Sequence, residues 1–288
     1  MSLGLNKTKR RISSVKSTQK ITKAMEMVAT VKLKRFRKSY DDGLLYTEKL
    51  EATLAELLHR QKEGSESIYS KPNGSKGGTL YIAVTSNLGL CAGYNANLFK
   101  FLEANFDKGS DELIPLGTKG AGHYAHLGDY KISDLAEKFD LAMAGRDLIQ
   151  AADALLQAYR EGKYKTVKIV YTHYVNSLNF TPSESKLLPV ELEFEATPQT
   201  ESCPSLIEPE LSEFIEGMLP QYLAGELYSK LVESQLCEQG SRRNAMENAN
   251  DNADELLNQL TIEYNKARQT AITQEIVEVV SGSAGQTK

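Results

Sequence analysis

Apolar residues recur at helical spacing near both ends of the chain, and a short stretch between them has the pattern of a small sheet. Residues 244–282 hold no proline and no glycine before the last position. Within them Ala249, Ala253, Leu256, Leu260, Tyr264, Ala267 and Ala271 follow at steps of four, three, four, four, three and four, the seam of a coiled coil. The small residues beyond Leu260 allow a partner helix to come close, while Leu256 and Leu260 set a wider separation. Only 7–60 has the length and period to be that partner. It lacks proline and repeats Ile12, Val15, Ile21, Met25, Val28 and Val31, then Leu50, Leu54, Leu57 and Leu58. Such a helix would run roughly 80 Å, with Gly43 after Asp41 and Asp42 as its place to bend. The expectation is an antiparallel shaft made of the two chain ends, with the middle hanging off it.

The middle reads differently. Residues 63–78 are rich in Gly, Ser and Lys with a Pro-Asn-Gly turn, a linker or exposed loop. Strands are expected at 79–86, 113–116 and 166–174, with a weaker one at 190–194, and helices at 95–106 and 144–160. Alternating strands and helices imply a small domain with an open, largely parallel sheet. Residues 198–209 read as loop. The last helix starts near 208–210, where Pro209 suits a first turn, and Gly217, Pro220, Gly225 and Gly240 should bend or weaken its first half. The fold class is α/β, combining a long antiparallel coiled coil of N- and C-terminal helices with a central Rossmann-like α/β domain. Its parts are 1–62, 63–78, 79–197 and 198–288.

Composition adds limits. With 41% hydrophobic and 25% charged residues the chain is ordinary for a soluble protein, and its apolar runs are far short of the roughly 20 residues needed to span a bilayer. The N-terminus lacks the apolar core of a secretory signal, so the chain is expected to stay where it is made. Cys91, Cys203 and Cys237 are odd in number and contain no Cys-x-x-Cys, which fits a reducing compartment and indicates neither disulfide framework nor zinc site. Charge is strongly asymmetric: residues 1–38 carry +11 and the remaining 250 carry −15.

Candidate chemistry is sparse. The glycine-rich 87–95 follows a strand and precedes a helix, where backbone amides can bind phosphate, yet it has neither Gly-x-Gly-x-x-Gly nor the Lys-Ser/Thr of a P-loop. It reads as a strand-to-helix turn, with an α/β enzyme binding a nucleotide or phosphate as the competing view. Cys91 has no His or acid near it in sequence and reads as a small buried hydrophobe. His123 and His126 share a helical face without a third metal ligand nearby. The basic N-terminus admits three readings: a solvated helix face, a nucleic-acid-binding coiled coil, or a positive shaft held by an acidic partner.

Two motifs are more specific. Residues 17–29, STQKITKAMEMVA, and 264–276, YNKARQTAITQEI, with Gly89-Leu90-Cys91, Gly93 and Asn95 between them, closely resemble the gamma subunit of F-type ATP synthases in the same order. The resemblance implies a central rotor shaft within a ring of alpha and beta subunits, one copy per complex, coupling ion flow to ATP synthesis or hydrolysis. It implies that Met25, Arg242, Arg268, Gln269 and Thr273 face that ring, and that Ile276, Val277, Val279 and Val280 form a tip turning in a hydrophobic collar. Glu208 would lie at the foot, against epsilon and the ring of c subunits. The chain would then catalyse nothing, need no cofactor, bind no nucleic acid, and reach the cytoplasmic face of the cell membrane only through the c-ring. It departs from the family pattern at Asn87-Leu88, at Ile207 and over 240–244.

Overall fold

A computed structural model describes residues 2–60, 69, 73–75, 77–192 and 210–285, except for the side chains of 2–4, 278 and 280–285. Most of the expected linker 63–78, the expected strand end 193–194 and loop 198–209, and Cys203, Glu208 and Pro209 lie outside the described residues. The elements are α1 (Ser2–Arg60), β1 (Thr79–Val84), α2 (Tyr94–Asn105), β2 (Glu112–Leu116), α3 (Thr118–Leu127), a 3-10 turn (Asp134–Lys138), α4 (Arg146–Arg160), β3 (Thr166–Tyr174), β4 (Phe180–Leu188) and α5 (Leu211–Gly285). Two compact units divide the chain: 1–30 with 242–288, and 31–241. No described helix is long and apolar enough to cross a membrane.

Both terminal helices are continuous: α1 has 59 residues and passes through Gly43, and α5 has 75 residues despite Pro220 inside it. Proline in a helix interior costs about 3 kcal/mol. What outweighs it is a buried row at steps of four, Ile215, Leu219, Leu223, Leu227 and Leu231, since each such side chain contributes about 1.5–3 kcal/mol on burial. The expected weakening of this half is overridden by packing.

In the larger unit the sheet order is β2-β1-β3-β4. β1 pairs parallel with β2 and β3, while β4 runs antiparallel to β3. Alternation along the strands feeds two cores, as the pleat requires. Leu80, Ile82, Val84, Val167 and Ile169 join α4 and the early part of α5 on one face; Tyr81, Ala83, Leu113 and Val170 meet Leu98 and Leu102 of α2 and Tyr124 of α3 on the other. The expected strand at 190–194 is corrected: residues 190–192 are not strand, and the fourth strand is Phe180–Leu188. Its sequence, FTPSESKLL, is polar because it is an edge strand, half-exposed over most of its length. Pro182, which has no N–H to donate, sits opposite Thr172.

Candidate functional site

In the smaller unit α1 and α5 are antiparallel, because rising numbers on one meet falling numbers on the other. Gln19 Nε2 donates to Asp254 Oδ1 at 2.6 Å, Thr22 Oγ1 donates to Asn250 Oδ1, and Asn250 Nδ2 donates to Glu26 Oε2 at 2.6 Å. A row of shielded positions on α1 runs through Leu5, Thr8, Ile12, Val15, Gln19, Thr22, Glu26 and Ala29, with Met25 and Thr30 half-buried at its flank, and a row on α5 runs through Met246, Asn250, Ala253, Leu257, Leu260 and Tyr264, with Ala249 half-buried at its flank. Both sets alternate steps of three and four, the heptad seam. The expected seam on α5 is therefore shifted. Ala253, Leu260, Tyr264 and the half-buried Ala271 belong to it and Ala249 is half-buried at its flank, whereas Leu256 and Ala267 are exposed and Leu257 takes the inward place. On α1, Ile12 and Val15 face inward as expected, while Ile21, Val28 and Val31 are exposed.

That leaves an outer surface that is both apolar and basic. Ile21, Met27 and Val28 are 61%, 68% and 56% exposed, Lys7, Arg10, Arg11, Lys20 and Lys23 are exposed beside them, and Ile262 and Ile272 on α5 are exposed as well. Arg268, Gln269 and Thr273 are exposed, Met25 is half-buried, and Ile276, Val277 and Val279 are exposed towards the end of α5. Arg242 differs from its companions: at 5% exposure it has little surface to offer an outside partner. The side chain of Val280 and the whole of Glu208 lie outside the described residues.

The glycine-rich turn after β1 is tied to its neighbours. Ser86 N donates to Asn95 Oδ1 at 3.1 Å and Asn95 Nδ2 returns a bond to Ser86 Oγ at 2.7 Å. Leu90 and Ala92 hold positive φ, 62° and 48°, which non-glycine residues rarely do, and Leu88 and Leu90 project into solvent. The amides of Thr118, Lys119 and Gly120 at the start of α3 are engaged outside the helix, and the first intrahelical bond follows them. Thr118 N donates to Asn87 Oδ1, Lys119 N to Ser86 O, Gly120 N to Thr85 Oγ1, and Ala121 N to Gly117 O. Gly117, at φ 91°, is needed because a Cβ would lie 2.5 Å from Thr85 O. Cys91 is buried beside Tyr94 and Cys237, where burial raises the Cys237 thiol far above its ordinary range. His123 Nε2 donates to Glu103 Oε1 at 2.9 Å, and its ring stacks on Phe99 at 4.0 Å between ring centres.

Sequence reasoning passed over the polar face of α5 that meets the sheet. Ser234 Oγ lies 3.2 Å from the Thr172 amide and 2.7 Å from Tyr94 Oη, and Glu233 Oε1 accepts from the Tyr174 amide at 3.0 Å. A Glu-Ser pair inside an otherwise apolar helical row was the available signal.

The geometry can be compared with known proteins. A family model described as ATP synthase matches residues 4–285. An ATP synthase gamma chain of Mesoplasma florum is 37% identical over 280 residues, 97% of each chain. One of Clostridium pasteurianum is 35% identical, covering 99% of this chain and 100% of its own. A solved chain from Euglena gracilis mitochondrial ATP synthase (OSCP/F1/c-ring, rotational state 3) superposes with TM-score 0.67 at 19% identity, over 100% of this chain and 97% of its own. A chain of the Tetrahymena thermophila mitochondrial ATP synthase central stalk and c-ring gives TM-score 0.54 at 24% identity, over 80% of this chain and 99% of its own. These structures share the fold, and the curated relatives share the sequence nearly end to end: the chain belongs to the ATP synthase gamma-chain family.

Proposed function

We propose that the chain is the rotating central shaft of an F-type ATP synthase, one copy per complex, and that it is not itself catalytic and needs no cofactor. The observation that carries this reading is the antiparallel helix pair, whose seam is closed and whose outer face remains both apolar and positively charged. A rotor needs such a surface: aliphatic contacts are non-directional and do not trap one angle, while charged groups make contacts that differ among ring conformations. In this reading Met25, Arg268, Gln269 and Thr273 meet the alpha-beta ring, and Ile276, Val277, Val279 and Val280 turn in its apolar collar. Glu208 lies at the foot against epsilon and the c-ring, which gives the chain its only tie to the membrane, on the cytoplasmic face. Arg242, buried in the chain, is left out of the ring contacts.

The test is single-molecule rotation. The alpha-beta ring is immobilised, a probe is attached to a cysteine placed in 63–78, and ATP is added. Stepwise rotation in one sense is expected. A complex that hydrolyses ATP while a firmly attached, unobstructed probe stays still would make the chain a static component. The exposed basic residues of α1 favour one competing reading, binding to nucleic acid. That reading requires steeply salt-dependent binding of a DNA duplex by the chain, and no binding at low salt would end it.

A further inference from the structure

β1 and β3 run parallel and in register from Thr79↔Thr166 to Ala83↔Val170, and the ladder stops there although β3 continues to Tyr174. In a continuing parallel ladder the next β3 amides would donate to carbonyls of β1. They donate to α5 instead. The Thr172 amide donates to Ser234 Oγ at 3.2 Å; Ser234 Oγ lies 2.7 Å from Tyr94 Oη; and Tyr94 Oη lies 3.4 Å from the carbonyl oxygen of Val84, the last residue of β1. One placement of hydrogens satisfies the whole relay: amide to seryl oxygen, seryl hydrogen to phenol oxygen, phenol hydrogen to carbonyl. Two residues further on, the Tyr174 amide donates to Glu233 Oε1 at 3.0 Å, and the same oxygen lies 2.6 Å from His173 Nδ1.

The same face of α5 continues the fit. Cys237 packs with Cys91 and Tyr94, and Gly240 comes so close to the β4 ring of Phe180 that a Cβ would lie 2.5 Å from its Cζ. Tyr94, Glu233, Ser234 and Cys237 are all buried. Helices usually pack on sheets through apolar side chains, which hold two layers together but tolerate sliding and rotation. Hydrogen bonds are directional and fix an angle. A relay from β3 through α5 to β1, built from buried groups, therefore adds a constraint that the apolar cores on either side of the sheet do not supply.

We propose that residues 233–240 of α5, with Tyr94 and the end of β3, form a joint that locks the long helix to the sheet against rotation about the helix axis, so that twist applied to one is passed to the other. The proposal rests on the rotor reading above and names the positioning residues through which the sheet unit would drive the shaft helix.

The experiment uses the assembled complex with its ring immobilised and a probe on a cysteine at Gly109, in the exposed turn before β2. Without nucleotide, the width of the probe's angular distribution reports the stiffness between sheet and shaft. Ser234→Ala and Tyr94→Phe each remove one hydroxyl and leave the relay's other partners unpaired, so each is expected to broaden the angular variance about twofold. Because both break one relay, the double variant should broaden it no more than either single one. Ser229→Ala, at a buried serine outside the relay, should leave the width unchanged. Unchanged widths in both single variants would overturn the joint, as would additive effects in the double. Failure of both to assemble would also overturn it, making the relay a folding element. If the wild-type complex itself does not rotate with ATP, the rotor reading fails, and that outcome is separate from every outcome of the variants.

Discussion

At the scale of single residues, polar groups decide what apolar periodicity leaves open. Asn250 occupies an inward heptad position and spends its amide on Thr22 and Glu26. A polar residue at such a position costs stability and fixes register. It is also the reason the expected and observed seams part at Leu256. A search for apolar residues alone skips Asn250 and takes Leu256, whereas the row through Met246, Asn250, Ala253 and Leu257 keeps the heptad. Asn250→Ala is expected to cost about 1–3 kcal/mol, because it strands half-buried partners; denaturant unfolding of the full chain measures it, and an unchanged midpoint would rule the role out. Two buried glutamates set opposite pH dependences. Burial pushes the Glu112 carboxyl up, but Lys131 at 2.5 Å, Tyr164 donating at 2.5 Å, and Lys163 prevail and hold it below the ordinary range. Its contribution to stability is present above the unfolded value and lost as pH falls through the lowered folded one. Glu226 is raised by burial, with Lys230 at 3.8 Å opposing and Glu51 and Glu233 adding to the rise. Its contribution is full below the unfolded value and lost as pH rises through the raised folded one. Stability measured against pH should therefore show a shallower acid limb in Glu112→Gln, since Asp107 and Asp134 are lowered as well, and a smaller loss towards neutral pH in Glu226→Gln.

At the scale of elements, length and period were the legible part. The long terminal helices, three of the four strands and α4 follow from spacing in the sequence, and the boundaries differ by a few residues. β4 was not legible, because an edge strand buries little and its polar residues resemble a loop until β3 is there to pair with it. The α5 face that meets β3 was equally hidden: Glu233, Ser234, Cys237 and Gly240 acquire meaning only when the β1–β3 ladder ends short beside them. Gly240 separates local from tertiary preference. Alanine there would gain about 1 kcal/mol of helix propensity, but its Cβ would meet the Phe180 ring, and overpacking typically costs about 1–3 kcal/mol. Gly240→Ala is expected to lower the unfolding midpoint of the full chain, and adding Phe180→Leu to recover part of the loss. A gain in stability from the single substitution would show that the ring moves freely.

At the scale of the whole molecule, family membership was readable from two motifs at opposite ends of the chain, while the contacts those motifs make with partners lie beyond any single chain. The terminal segment of α5 gives a direct test. Truncation after Gln274 removes Ile276, Val277, Val279 and Val280 and leaves the seam of the helix pair intact. Assembly with the alpha-beta ring is expected to persist, since the tip is one contact among several, while the ion gradient built per ATP hydrolysed falls. Pull-down of the ring and an ion-uptake assay on vesicles, run for protons and for sodium, read the two quantities, and loss of assembly in the truncated form would contradict the expectation. Outside the complex, the exposed Ile21, Met27, Val28 and Ile262 along the helix pair have another effect. Exposed apolar stripes of this kind bind chaperones and attract proteases. A copy made in excess of its partners would thus be marked for degradation by the surface it would use in the complex, and subunit stoichiometry would be enforced by turnover as well as by synthesis.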